Sequence, residues 1–166
     1  CHLEMAQFKD DIVAVITRAK DAGIEAIISI GSDFEGCKGA VDLSRRYDMV
    51  YAAVGIHPHD AKDFSLEIAG TVHSWIKTSR ERGTACEGED MPKIVAIGEI
   101  GLDYYYDHSP REIQRTIFCK QLAFAKELDL PVVVHSRDAQ EDTLHILEES
   151  GICKGVMHCF SGDKGM

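Results

Sequence analysis

No stretch of this sequence approaches the ~20 consecutive apolar residues of a membrane-spanning helix, and its beginning lacks the basic, apolar, small-residue layout of a secretory signal. Both absences predict a cytoplasmic protein with no membrane partner. Six cysteines occur, at Cys1, Cys37, Cys86, Cys119, Cys153 and Cys159, but no C-x-x-C pair and no dense framework, so they read as free thiols. Basic residues are scarce, 18 Lys and Arg against 28 Asp and Glu, for a net charge of −10. That balance argues against a protein gripping a long stretch of nucleic acid by phosphate neutralisation, which needs clustered cations. It leaves room for an enzyme that takes one phosphate group, because bound divalent cations reverse the local sign of an acidic cleft. The motifs G-x-G-x-x-G after a strand, G-x-S-x-G and H-E-x-x-H are all missing. Their absence counts against a dinucleotide-binding fold, a serine-hydrolase elbow and a locally spaced zinc site, respectively.

What is present is an alternation of apolar strands and amphipathic helices. Helical spacing of Phe8, Ile12, Val15, Ile16 and Ala19 predicts a helix over 4–22 ending at Gly23. Strands are expected at 26–30, 50–54, 94–97, 131–134 and 155–157, with helices over 36–47, 66–82, 110–128 and from about Asp138 to Gly151. Ser109, Pro110 and Glu112 read as an N-cap, a first-turn proline and a capping-box acid, and Asp138 with Glu141 repeats the pattern. The polar stretch 83–92 reads as a surface loop. At 166 residues the chain suits one domain, and strict alternation indicates βαβ units and a parallel sheet. A (β/α)8 barrel and a doubly wound open sheet both carry function beyond their strand C-termini, and both fit.

Chemistry-bearing residues gather at those handovers: Asp33, His57, Glu99, His135 and His158 each follow a predicted strand. Glu99, between Gly98 and Gly101, follows the continuous apolar run Ile94 to Ile97, where a carboxylate needs either an ion-pair partner or a metal. Imidazole and carboxylate donors together suit Zn, Mn or Fe. His73 and His145 lie inside helices and His108 precedes a helix, so none is given a chemical role. Cys159, next to His158, would point to the opposite face of a strand and so away from that imidazole.

Five segments together resemble the TatD-type metal-dependent deoxyribonucleases, within the amidohydrolase-like metal hydrolases: Cys1-His2-Leu3, Gly55 to His59, Gly98 to Asp103, His135 to Ala139 and His158 to Gly162. The resemblance implies a TIM-type barrel with two divalent metal ions (Zn, Mg or Mn), with His2, Glu99, His135 and His158 as ligands. Glu99 would bridge both ions and be the catalytic centre; His135 and His158 would fix one ion and His2 the other. His57 and Arg137 would contact the scissile phosphate of a DNA substrate taken at an end or as a single strand. A barrel of this type usually needs ~250 residues. The chain therefore reads as one metal-dependent hydrolase domain over 1–166, an incomplete barrel of about five strands that is truncated at both ends. A sister activity on an ester or amide of a nucleic-acid-linked substrate, and a non-catalytic metal-binding scaffold, stay open on the same ligands.

Overall fold

The structure, a computed structural model, describes residues 1–81 and 91–160. Five parallel strands form one sheet: β1 Ile27–Ile30, β2 Val50–Val54, β3 Ile94–Asp103, β4 Val132–Arg137 and β5 Gly155–Met157. Helices α1 Ile12–Asp21, α2 Phe34–Arg46, α3 Leu66–Glu81, α4 Arg111–Glu127 and α5 Gln140–Ser150 alternate with them. Spatial order equals chain order, β1-β2-β3-β4-β5. A doubly wound sheet must reverse its order at a switch point. The unreversed order is that of consecutive strands in a (β/α)8 wall, and it decides between the two expected architectures.

Strand alternation sorts the core into two layers. Ala52, Val54, Ile97, Ile100, Leu102, Val132 and Val134 face the helices and pack with Val41, Ile76, Phe118 and Leu122. Ile30, Ala53, Ala96 and Val133 form a small cluster on the other face. A regular strand could not keep both Ile97 and Ile100 toward the helices, because three steps reverse the side. The ladder to β4 accommodates this with a shift, pairing Ile97 with Val132 and Ile100 with Val134, so β3 spends one residue more than β4 between them. The irregularity is a bulge, and it swings Glu99 to the inner face while Ile100 and Leu102 stay in the core. At Gly101 (φ 138°) the two strands are so close that a Cβ would lie 2.0 Å from the His135 carbonyl oxygen. Only glycine fits there.

Several boundaries differ from expectation. β3 runs on to Asp103, so Glu99 lies within the strand and not beyond it. The helix expected over 4–22 is replaced by a short 3-10 turn at Ala6–Phe8 and then α1. The cause is tertiary: Cys1 accepts the Ile30 N–H (2.8 Å), Leu3 N–H donates to Ser29 Oγ (3.0 Å), and Glu4 accepts from that hydroxyl (2.6 Å). Neither capping box forms. Pro110 and Ala139 occupy the caps of α4 and α5, Ser109 is recruited elsewhere, and Asp138 takes a left-handed conformation (φ 52°). In α4, Ile113 is 38% exposed although helical spacing with the buried Ile117 would turn it inward. The predicted loop 83–92 lies outside the described residues except for Met91 and Pro92, as do Arg82, Cys86, Ser161 and Gly162.

Candidate metal centre

Period-two alternation carries Glu99, Gly101 and Asp103 along the inner face of β3, and sets His135 beside Gly101 on β4. Glu99 and Asp103 are 4% and 0% exposed, deep enough that each charge requires a specific partner. The two oxygens of Glu99 meet different histidines. Oε2 lies 3.0 Å from His158 Nδ1 and 3.8 Å from His2 Nε2, while Oε1 lies 3.1 Å from His135 Nδ1 and 4.0 Å from His57 Nε2. Potential ligand atoms within 4.8 Å of one another thus form two groups, His2–Glu99–His158 and His57–Glu99–His135. The expected pairing of His135 with His158 on one ion and His2 on the other does not match this division. His158 shares its Glu99 oxygen with His2 because residues 1–3 lie along β1 and bring His2 within 5.3 Å, ring to ring, of His158.

Hydrogen bonds fix which nitrogen of each ring faces inward. His2 Nδ1 sits 2.7 Å from the Ile30 carbonyl, an acceptor only, so it must carry the proton. Its Nε2 lone pair then points toward a carboxylate. His135 Nε2 lies 2.9 Å from Asp103 Oδ2, which leaves Nδ1 against Glu99. A lone pair opposite a carboxylate oxygen is repulsive unless a proton or a metal cation stands between them, and the donor set therefore fits a divalent ion. In the metal-free protein, protons take that part. Burial would lower His135, but its hydrogen bonds to Glu99 and Asp103 outweigh this and raise it. His2 is raised chiefly by Glu4 beside it, against burial. Burial would push Glu99 up, yet the bonds from His135 and His158 hold it down at about 2. For Asp103 too, burial is overcome, by the Tyr106 backbone N–H and by His59 and His135. His57 behaves oppositely: burial, with His135 nearby, pushes it down to about 3.

Two residues here received no role from the sequence alone. Asp103 accepts from His135 and from His59 Nε2 (3.0 Å) at one oxygen, and at the other from the backbone N–H groups of Tyr105 (3.1 Å) and Tyr106 (2.8 Å). Its signal was available, since Glu99 and Asp103 are four residues apart on a strand and must share a face. His59 lies in the Gly55 to His59 segment, from which only His57 was expected to act. Arg137 is exposed at the end of β4, with its guanidinium 4.3 Å and 4.8 Å from the ring centres of Tyr105 and Tyr106. Cys159 does not point away from His158. It leaves the strand in a left-handed turn (φ 48°), and its Sγ lies 3.8 Å from His158 Nε2.

Helix α4 holds the frame. The buried Gln121 amide accepts the Ile56 N–H (2.8 Å) and donates to the Ile56 carbonyl (3.0 Å), just before His57. Two turns earlier, the Gln114 amide accepts the Asp103 N–H (2.8 Å) and donates to the carbonyls of Asp103 (3.1 Å) and Ser109 (2.8 Å). The Ser109 hydroxyl donates to the His59 carbonyl (2.7 Å) and accepts the Lys62 N–H (3.2 Å), joining the histidine loop to the start of the helix.

Comparison with known proteins agrees with this geometry. A family model described as "TatD related DNase" matches residues 1–166. YabD of Bacillus subtilis, an uncharacterised metal-dependent hydrolase, is 42% identical over 163 residues, covering 97% of this chain and 59% of its own length. A 3'-5' ssDNA/RNA exonuclease TatD from Pectobacterium parmentieri is 35% identical over 166 residues, covering 98% of this chain and 59% of its own. The crystal structure of YjjV, a TatD homologue from Escherichia coli K12, superposes with a TM-score of 0.80 at 32% identity, over 98% of this chain and 59% of that one. The chain therefore spans 59% of the length of each of these relatives. With a family match along its whole length and an inner face of histidines around one carboxylate, this chain belongs to the TatD-related DNase family.

Proposed function

We propose that the protein is a metal-dependent phosphodiesterase that hydrolyses DNA at ends or in single strands, in the cytoplasm. The observation that carries this reading is the division of Glu99, whose two oxygens each face a different pair of imidazoles. Glu99 would be the group shared by two ions, its negative charge offsetting their mutual repulsion. His2 Nε2, His135 Nδ1 and His158 would be the nitrogen ligands, and their imidazole character favours Zn among the candidate ions Zn, Mg and Mn. Divalent ions held by these residues would supply activation of a water and stabilisation of charge on the phosphoryl and leaving oxygens.

The chain's own residues do the positioning. His57 Nδ1 accepts the His59 backbone N–H (3.2 Å), so in its neutral state the ring carries its proton on Nε2. That makes His57 a donor toward a phosphate oxygen and argues against its serving as a ligand. Arg137, exposed and two residues beyond His135, offers a planar fork to the same phosphate. Asp103 holds the His135 ring through Nε2, which keeps Nδ1 directed at Glu99. Five cysteines among the described residues are unpaired, in keeping with a reducing compartment, and no described helix is long and apolar enough to cross a membrane. End-labelled single-stranded DNA, duplex DNA and RNA, offered to the full-length protein stripped of metal and reloaded with Zn, Mn or Mg, test the reading. Metal-restored cleavage of single-stranded DNA is expected. A fully metallated protein that leaves every phosphodiester intact would overturn it.

A further inference from the structure

The turn after β3 places two large aromatic side chains in solvent at the rim of the candidate centre. Tyr105 is 58% and Tyr106 48% exposed, an unusual investment for residues next to a buried carboxylate. They are not loosely hung. Both backbone N–H groups are tied to Asp103 Oδ1, while Oδ2 of the same carboxylate holds His135. The two rings meet edge to face at 4.8 Å and 88°, and the Arg137 guanidinium lies over both. Behind Tyr106 the His108 ring stacks nearly parallel, at 5.5 Å and 10°. His59 joins Tyr106 (5.4 Å) to His57 (4.4 Å), and His57 to His135 (4.3 Å). Rings therefore run without a break from the metal-ligand group to the surface.

From this arrangement, and resting on the proposed phosphodiesterase reading, we infer that Tyr105 and Tyr106, with Arg137, form a stacking shelf for a nucleobase next to the scissile phosphate. The net charge of −10 leaves few cations to bind a polyanion, so recognition beyond the metals and Arg137 needs another source. Base-on-aromatic stacking supplies it, tolerates any sequence, and requires a base whose face is free. Bases inside a duplex already have both faces covered. The shelf thus selects single-stranded or frayed polynucleotide, and the guanidinium spread over both rings extends its planar surface toward the phosphate.

Exposed side chains in a turn held by backbone bonds can be changed without unfolding it. Tyr105→Leu and Tyr106→Leu in the full-length protein are compared with Tyr105→Phe and Tyr106→Phe, using single-stranded DNA and the same strand carrying abasic sites near the cleaved end. The Leu variants should raise KM on the base-bearing strand by roughly tenfold with kcat largely kept. The Phe variants should behave as wild type, and on the abasic strand all five proteins should agree. Binding of the same strands to the metal-free protein, followed by fluorescence anisotropy, gives a readout independent of hydrolysis. Wild type that binds DNA but does not cleave it, with weaker binding in the Leu variants, sinks the phosphodiesterase reading and keeps the shelf. Leu variants equal to wild type on the base-bearing strand, or equally impaired on both strands, overturn the shelf and leave the phosphodiesterase standing. A wild type that neither binds nor cleaves overturns both.

Discussion

Asp103 Oδ2 lies 2.9 Å from His135 Nε2, and it is this bond that decides which face of the imidazole meets Glu99. Asp103→Asn keeps the size but removes the charge, and it offers a donor where an acceptor is required. Metal affinity should fall by about ten- to a hundred-fold, the usual effect of losing the carboxylate behind a ligating histidine. Calorimetric titration of Zn into the metal-free variant measures it, with circular dichroism as the control for folding. Unchanged affinity would show that the ring is held by something else.

Glu99→Gln should abolish hydrolysis in the full-length protein while leaving it folded. The amide keeps two heteroatoms and loses the negative charge, so at least one cation should be released. An ordinary buried ion-pair role predicts something different, a stability loss of roughly 3–5 kcal/mol with chemistry retained in the folded fraction. Elemental analysis and thermal unfolding alongside turnover separate the two. A folded, fully metallated and active variant would rule out the bridging role.

Arg137→Lys keeps the charge and removes the fork. If the guanidinium contacts the scissile phosphate, KM on DNA should rise on the order of tenfold, the value of one charge-assisted hydrogen bond. KM and kcat both equal to wild type would assign Arg137 to packing on Tyr105 and Tyr106 alone.

The metal-free protein should show an acid sensitivity traceable to His57. Its folded value, about 3, lies below the ordinary 6.5, so as pH falls through 6.5 the unfolded chain takes up a proton that the folded ring refuses. His57 therefore removes stability between pH 6.5 and 3, on the order of a few kcal/mol at the lower limit. His2 and His135, both raised, act in the opposite sense: their contribution is fully present below 6.5 and is lost as pH rises through their folded values. Comparison with His57→Gln isolates the one effect. Urea unfolding at pH 7, 5.5 and 4 should show wild type losing ground to the variant step by step, and parallel curves would contradict it.

Much of this molecule was legible from its sequence, and the failures share a cause. The strands 50–54 and 155–157 lie where apolar patterning put them, and α5 ends at Gly151 as expected, with that glycine in a left-handed conformation (φ 67°). The bulge in β3 was invisible because its evidence lies in the partner strand, in the pairing of Ile97 with Val132 and Ile100 with Val134. Ser109 looked like a cap and became a tie, since its hydroxyl finds His59 and Lys62, about fifty residues away in the chain. Both are cases of tertiary contacts outbidding a local preference. Likewise the resemblance supplied the ligand types, but only strand neighbours could decide that His2 and His158 share one oxygen of Glu99.

The two glutamines of α4 give the centre braces that do not themselves titrate. Every group that would touch a metal titrates or competes for a cation, whereas Gln114 and Gln121 are neutral and grip backbone atoms. Their separation along the helix, two turns or about 10 Å, works as a caliper between the loop after β2 and the end of β3. Protonation of the histidines and carboxylates leaves the chemistry of these amide bonds unaltered. The spacing between the histidine loop and the strand that carries Glu99 is thus gauged by uncharged amides.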